Sequence, residues 1–152
     1  MRVSAKSDYA LRALIELASS DDGTPMSAEE IARRQDIPHG FLQAILADLR
    51  RAEVVISVRG QNGGWWLGRE AAEVTVADVI RAVDGPLVSV YGLRPEAVTY
   101  NDSALVLQRV WIAARANLRE VFEQVTVEML AASALPPGVV KLTEDEDAWR
   151  SH

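Results

Sequence analysis

The chain has 152 residues, 49% of them hydrophobic and 25% charged, which is enough for one folded domain with its own core. Its uncharged apolar runs are much shorter than the roughly 20 residues of a membrane-spanning helix, and no apolar leader opens it, so we expect a cytoplasmic protein. It has no cysteine and only two histidines, His39 and His152. Disulfides and thiolate-held metal sites are therefore excluded, and we expect neither a metal ion nor a cofactor.

The net charge of −6 is unevenly distributed along the chain. Residues 1–69 carry nine basic and nine acidic side chains, whereas residues 70–152 carry seven basic and thirteen acidic ones. Within residues 33–69, six arginines stand against three acids. This local excess predicts a basic surface suited to a phosphate backbone.

Apolar residues at helical spacing predict three helices early in the chain. The second begins at a capping box, and the third begins at a proline, which the first turn of a helix tolerates. We expect these helices to run from an N-cap at Asp8 to about Ser20, from Ser27 and Glu30 to about Asp36, and onward from Pro38. Three short helices at this spacing are typical of a helix-turn-helix.

The next segment changes to a strand pattern. Residues 54–59 are rich in β-branched side chains, residues 61–64 contain the Asn-Gly turn signal, and residues 65–67 form a second strand. Thr75 then caps a fourth helix that closes at Gly85. The predicted fold is mainly α with a small β-hairpin wing: a winged helix-turn-helix domain over residues 1–86, followed by a long dimerisation helix.

The second half is predicted to hold that helix. Residues 87–101 are irregular, residues 102–135 form one helix on the order of 45 Å long, and residues 136–152 form a disordered acidic tail. Apolar side chains along the helix are spaced close to a heptad repeat. We therefore expect a second copy of the chain to pack against this apolar face. The predicted dimer interface consists of Leu107, Trp111, Ala114, Leu118, Val121 and Val125.

Several short motifs together resemble the Rrf2 family of bacterial transcription regulators. They are Lys6 with Tyr9, Phe41-Leu42 with Leu49-Arg50-Arg51, Ser57-Val58-Arg59-Gly60 with Gly63-Gly64, residues 76–80 and residues 83–86. The match is dense over residues 1–86. Over 102–133 it consists only of a helix of suitable length.

The chain also departs from the family pattern. Members that sense iron or nitric oxide carry three cysteines between the fourth helix and the long helix, and Leu87 to Tyr100 contain none. That sensing chemistry is therefore not implied here. The third helix usually ends on glycine, and Glu53 stands there instead, so we expect that helix end to differ. Trp65-Trp66 replaces the usual tyrosine after the wing glycines.

The resemblance implies a set of DNA contacts. Gln43 is the candidate for reading adenine in the major groove, beside His39 and Gly40. Arg59, next to Gly60 at the wing tip, is the candidate for the minor groove. The remaining expected contacts, mostly to phosphates, are Ser4, Lys6, Tyr9, Ser27, Arg50, Ser57 and Gly64.

Two further interpretations concern the signal and the absence of catalysis. Tyr91, Tyr100 and Trp111 lie where the family senses its signal, so they either line a pocket for a small effector or simply pack. No nucleophile motif is present, and the paired acids Asp21 and Asp22 lie in a turn, which predicts that the protein is not an enzyme.

We therefore expect a homodimeric DNA-binding regulator, a repressor on a pseudo-palindromic operator, without an iron-sulfur cluster. Its signal would be a small molecule or a partner protein. The alternative is a winged-helix module that binds proteins and no longer binds DNA.

Overall fold

The computed structural model describes residues 2–20 and 23–151, so Asp21, Asp22 and His152 lie outside the described part. Helix α1 spans Ala5–Ala18. It begins earlier than the predicted N-cap at Asp8, because the Ser4 hydroxyl accepts a hydrogen bond from the Ser7 amide at 2.9 Å. Two short helices follow, α2 at Ala28–Gln35 and α3 at His39–Arg51.

The predicted capping box at the start of α2 forms only in part. The Ser27 hydroxyl accepts from the Glu30 amide at 3.2 Å. The Glu30 carboxylate turns away from the cap and accepts hydrogen bonds from Arg33 at 2.9 and 2.7 Å and from Arg34 at 2.7 Å. Two guanidinium partners compete successfully for this carboxylate, which leaves the serine as the cap.

The prediction that Glu53 would change the end of α3 is wrong. Glu53 adopts the left-handed conformation that glycine would take, with φ of 59°. The Val54 amide donates to the Leu49 carbonyl at 2.9 Å, which is the six-to-one bond of a Schellman cap. Burial of Val54 in the core holds this arrangement in spite of the strain at Glu53.

The wing is an antiparallel hairpin of β1, Val55–Val58, and β2, Gly64–Leu67. A third segment extends it, because Met26 and Trp65 exchange backbone hydrogen bonds of 3.0 and 2.8 Å. Two-stranded hairpins are marginally stable alone. The bridge at Met26 therefore fixes the wing against the segment that leads into α2.

Helix α4, Val76–Asp84, has the complete capping box that α2 lacks. The Thr75 hydroxyl accepts from the Asp78 amide and the Asp78 carboxylate accepts from the Thr75 amide, both at 3.1 Å. Helices α1, α3 and α4 enclose a common core with fully buried side chains such as Leu14, Ile45 and Val79. This core is the support for the exposed face of α3.

The single helix predicted over residues 102–135 is divided into two. Helix α5 covers Leu105–Phe122, about 27 Å at 1.5 Å per residue, and α6 covers Val127–Ala131. Between them the Val125 carbonyl accepts from Val76 and the Val127 amide donates to Val74, both at 2.9 Å. Val125 and Val127 are buried in the chain's own core, which is worth more than continuing an exposed helix.

The ends of the second half are also more ordered than predicted. The segment before α5 contains a 3-10 turn at Pro95–Ala97, and the Gln108 amide donates to the Pro95 and Val98 carbonyls at 3.1 Å each. In the tail predicted to be disordered, residues Pro137–Thr143 form helix α7. Among the described residues, no helix combines the length and apolar character needed to cross a membrane.

Candidate nucleic-acid interface

The start of α3 presents an exposed face. His39, Gly40 and Gln43 all lie on it, as the sequence predicts for a reading helix. A methyl group at Gly40 would meet nothing within 4 Å, so a base or phosphate can approach the backbone there. Phe41 is 63% exposed on the same face, an unusual position for an aromatic side chain in a reading helix.

Gln43 lies in a short polar chain across the two helices. The His39 Nε2 atom is 3.2 Å from a Glu29 carboxylate oxygen in α2 and 3.4 Å from the Gln43 amide nitrogen. A single ring nitrogen either donates to the carboxylate or accepts from the amide, so Gln43 keeps polar atoms free on the outer face of α3. A glutamine amide so placed can donate to and accept from one adenine edge.

The wing tip carries an unneutralised cation. Arg59 is exposed and forms no ion pair or hydrogen bond with any residue in the described part of the chain. Gly60 beside it has φ of 114°, a conformation that favours glycine. Nearer the base of the wing, the exposed Arg50 guanidinium lies 6.0 Å from the Trp65 ring centre, and Ser57 pairs with Trp65 across the hairpin. Arg50, Ser57 and Arg59 are all exposed, so they stay predicted DNA contacts.

The second wing glycine has a steric role that the sequence did not show. A Cβ atom on Gly64 would lie 2.6 Å from the Met26 carbonyl oxygen. Gly63 is similarly confined, since its Cβ would lie 2.2 Å from the Val58 carbonyl oxygen. The close approach of the wing to Met26 thus explains why a glycine stands at position 64, and the DNA contact at Gly64 stays a prediction.

Two predicted phosphate contacts are used inside the chain. Lys6 donates to the Val83 carbonyl at 2.7 Å and pairs with Asp48, so it joins α1 to α4 and α3. Ser4 caps α1 and donates to the Asp84 carboxylate. These partners lie 40 to 80 positions away, so no local pattern could reveal them. These partners give Lys6 and Ser4 internal roles that the sequence analysis did not include, and their contacts with DNA stay predictions.

Two other predicted DNA contacts, Tyr9 and Ser27, are accessible but already have a partner within the chain. Tyr9 is half-buried, and the Arg12 guanidinium carbon lies 5.0 Å from its ring centre. Ser27 is exposed, but its hydroxyl already caps α2. Both stay predictions, with Ser27 able to offer its remaining hydroxyl hydrogen to a phosphate.

Ion pairs absorb part of the arginine excess noted in the sequence. Hydrogen bonds from Arg33 and then Arg34 lower the pKa of the Glu30 carboxyl to about 2. Arg51 pairs with Asp48. The basic surface consequently rests on fewer arginines than the sequence count implies, chiefly Arg50 and Arg59.

The predicted dimer residues do not share one exposed face. Leu107 and Ala114 are exposed, whereas Leu118 and Val121 are half-buried and Val125 is buried within its own chain. The predicted assignment of Val125 to a dimer interface is wrong for this reason.

The exposed apolar side chains of α5 lie mostly outside the predicted dimer set, with Leu107 as the shared member. Val106 is 67% exposed and Val110 is 51% exposed. Leu105, Leu107 and Ile112 are further exposed apolar side chains on the same helix. The described part of the chain leaves them uncovered.

The three aromatic residues proposed for an effector pocket are not gathered together. Tyr91 is 93% exposed at the tip of a tight turn in which Val90 and Leu93 exchange backbone hydrogen bonds. Tyr100 and Trp111 do meet, with the indole nitrogen donating to the phenol oxygen at 3.0 Å. The Tyr100–Trp111 pair fastens the loop to α5, and Tyr91 takes no part in it.

Comparisons with known proteins give one family. The Rrf2 profile, described as an iron-dependent transcriptional regulator, matches residues 3–133. "Putative HTH-type transcriptional regulator Rv1287" of Mycobacterium tuberculosis is 41% identical over 99% of this chain and 94% of its own length. The HTH-type transcriptional regulator CymR of Bacillus subtilis is 33% identical over 87% of this chain and 91% of its own. The solved structure of B. subtilis CymR, a global cysteine regulator, superposes with a TM-score of 0.74 at 31% identity, covering 88% of this chain and 98% of that one.

The residues of this chain do not fit the iron of the family description. Iron-sulfur clusters in such proteins are held by thiolates, and the sequence has no cysteine. Among residues 2–20 and 23–151, no three His, Asp or Glu side chains are grouped to hold a metal ion. With its winged helix-turn-helix fold, its exposed α3 and wing, and its sequence match over residues 3–133, the chain belongs to the Rrf2 family of DNA-binding transcriptional regulators.

Proposed function

We propose that the protein binds a pseudo-palindromic operator as a homodimer and represses transcription, without an iron-sulfur cluster. The observation that carries this proposal is the pairing of an exposed α3 start with an unneutralised Arg59 at the wing tip. The helix has the size for the major groove, and an arginine on a narrow glycine-containing tip suits the minor groove. The two probes would contact adjacent grooves of one half-site.

The homodimer rests on the uncovered apolar face of α5. Side chains such as Val106 and Val110 would cost stability if they stayed in water, and a two-fold related α5 would cover them. Two reading heads related by that axis would then meet two half-sites one helical turn, or a multiple of it, apart.

The test is fluorescence anisotropy with the duplex upstream of the protein's own gene, against a scrambled duplex, at about 150 mM salt, where specific regulators bind at least 10³-fold above background. We expect selective binding by the wild type and a large loss of affinity in Arg59→Ala. An unchanged affinity in Arg59→Ala would refute the role of the wing. Absence of duplex binding even at low salt would favour the protein-interaction module instead.

Repression is tested separately by transcription in vitro from the same promoter. We expect the protein to lower the transcript level in proportion to operator occupancy. A rise in the transcript level would show activation and refute this part of the proposal.

A further inference from the structure

A cavity of about 540 Å³ lies on the side of the chain formed by the end of α4, the loop before α5, and α5 itself. Gly85, Pro86 and Leu87 are among the residues that line it. The other lining residues are Glu96 and four arginines: Arg81 from α4, Arg94 from the loop, and Arg115 and Arg119 from α5. None of them belongs to the surface assigned to DNA or to the Tyr91, Tyr100 and Trp111 set.

The carboxylates at this cavity do not balance its arginines. Glu96 accepts from Arg115 at 2.6 Å, and Glu123 accepts from Arg81 at 2.5 Å and from Arg119 at 2.9 Å. The pKa of the Glu96 carboxyl is lowered first by a hydrogen bond from its own backbone amide, then by Arg115, and last by the charge of Arg94. Arg94 itself forms no ion pair with any described residue. Arg81 also lies 3.7 Å from an Asp78 carboxylate oxygen. Four guanidinium groups therefore share three carboxylates, and Arg94 is the positive charge left over, on a protein whose net charge is −6.

We propose that this cavity binds a small anion bearing carboxylate or phosphate groups, and that this anion is the effector; the effector role rests on the proposed function. A guanidinium presents paired N–H donors that match a carboxylate or phosphate. A bound anion would add negative charge to that of the carboxylates and so relieve the repulsion among the four arginines. The cavity volume is within the range of small-molecule sites, roughly 300–1,000 Å³. Glu96 occupies Arg115 in the present structure and would be displaced in part by the ligand.

The cavity is joined to the reading helix by the internal contacts of Lys6. Arg81 lies in the last turn of α4, and the neighbouring Val83 carbonyl accepts from Lys6, which also pairs with Asp48 of α3. An anion that pulls on Arg81 therefore acts on a helix end that is tied to α3. Anion binding would change operator affinity through this connection. It would alter the contacts that α4 makes with α3 without touching the side chains that contact the DNA.

The test measures anion binding directly and without DNA. The full-length protein is titrated with inorganic phosphate and, in a second arm, with succinate, by calorimetry and by NMR of the arginine Nε–H groups. We expect saturable binding that shifts the signals of Arg94 and Arg115. The arm with the tighter binding identifies the ligand as a phosphate or a carboxylate compound.

Two substitutions in the cavity should act in opposite directions. Arg94→Ala removes the unpaired cation and should weaken binding about tenfold, the value of one charge-assisted hydrogen bond. Glu96→Gln removes the competing carboxylate and should tighten binding several-fold. Arg109→Ala, an exposed arginine on α5 away from the cavity, and Arg59→Ala on the wing are the controls and should leave anion binding unchanged.

The outcomes separate this proposal from the proposed function. No binding of either probe at about 10 mM, or binding weakened by Arg59→Ala and indifferent to Arg94→Ala and Glu96→Gln, overturns the anion site. If the anion binds as expected but operator anisotropy is the same with and without it, the effector role is overturned while the site stands. If the wild type shows no operator binding but Arg94→Ala and Glu96→Gln behave as expected, the proposed function fails and the site is retained.

Discussion

Replacement of Lys6 with methionine distinguishes an internal tie from a phosphate contact. The methionine keeps most of the aliphatic stem but loses the hydrogen bond to the Val83 carbonyl and the pairing with Asp48. The Val83 carbonyl lies in the last turn of α4, where carbonyls lack helical partners and a cation interacts favourably with the helix dipole.

The size of the effect follows from the geometry. A hydrogen bond from a charged group contributes about 1.5–3 kcal/mol, and the Lys6 side chain is 35% exposed, so solvent screens part of it. We expect Lys6→Met to lower the free energy of unfolding by about 1–2 kcal/mol. For a chain of this length that corresponds to a fall in Tm of about 2–8 °C.

The assay combines thermal unfolding with the salt dependence of operator binding. Lys6→Met should lower Tm and leave the slope of log affinity against log salt unchanged. Arg59→Ala should keep Tm and reduce the slope by about 1.8, because each subunit of the dimer loses one DNA-bound cation that accounts for about 0.9. Lys141→Met is the matched control, since Lys141 is the only other lysine of the chain and is exposed on α7. A variant Lys6→Met with unchanged Tm and a slope reduced by about 1.8, one phosphate contact from each subunit, would refute the internal role.

Three further predictions concern the reading helix, the dimer and the acid stability of α2. Gln43→Ala should bind the operator and its single-base variants with more similar affinities, losing about 1–3 kcal/mol of discrimination at one position; unchanged discrimination in anisotropy competition would contradict base reading. Val110→Asp should make the protein monomeric in sedimentation velocity with its circular dichroism unchanged, and a persistent dimer would place the interface elsewhere. Glu30, whose pKa is lowered from 4.5 to about 2 by Arg33 and Arg34, stabilises the fold above pH 4.5 and loses this effect as the pH falls towards 2. The urea midpoint of Glu30→Gln should therefore lie below that of the wild type at pH 6 and converge with it near pH 2, and a gap that stays constant would exclude this ionisation as the cause.

Elements with local signals are the ones that the sequence predicts well. The Asn-Gly turn places the wing, and Thr75 with Asp78 places the start of α4, because turn and capping chemistry act within three or four residues. The winged fold and the Rrf2 family are confirmed by the structure and the comparisons.

The errors arise where distant segments decide the outcome. The heptad-like spacing continued through Val125, but pairing of residues 125–127 with residues 74–76 ends α5 at Phe122. Glu53 takes a conformation that its side chain disfavours, since the burial of Val54 outweighs that cost. Neither contact is visible in the spacing of the residues involved.

The candidate site follows the same division. The outward side chains of α3 and the wing could be chosen from helix phase and turn position. The role of Lys6 could not, because a lysine near the start of α1 looks the same in sequence whether it meets a phosphate or the end of α4. The arginine-lined cavity was missed because Arg81, Arg94 and Arg115 come from three separate segments.

The attachment of α5 at both of its ends has a mechanical consequence. At one end Gln108 is bonded to the Pro95 and Val98 carbonyls, and at the other residues 125–127 are paired with residues 74–76 at the start of α4. In a dimer formed through α5, the end of the helix near Val125–Val127 would be fixed to the reading head, and the end near Gln108 would be fixed to the loop before α5. Rotation of one α5 against the other would then change the distance between the two wings, so the protein would measure operator spacing through the angle at which its subunits cross.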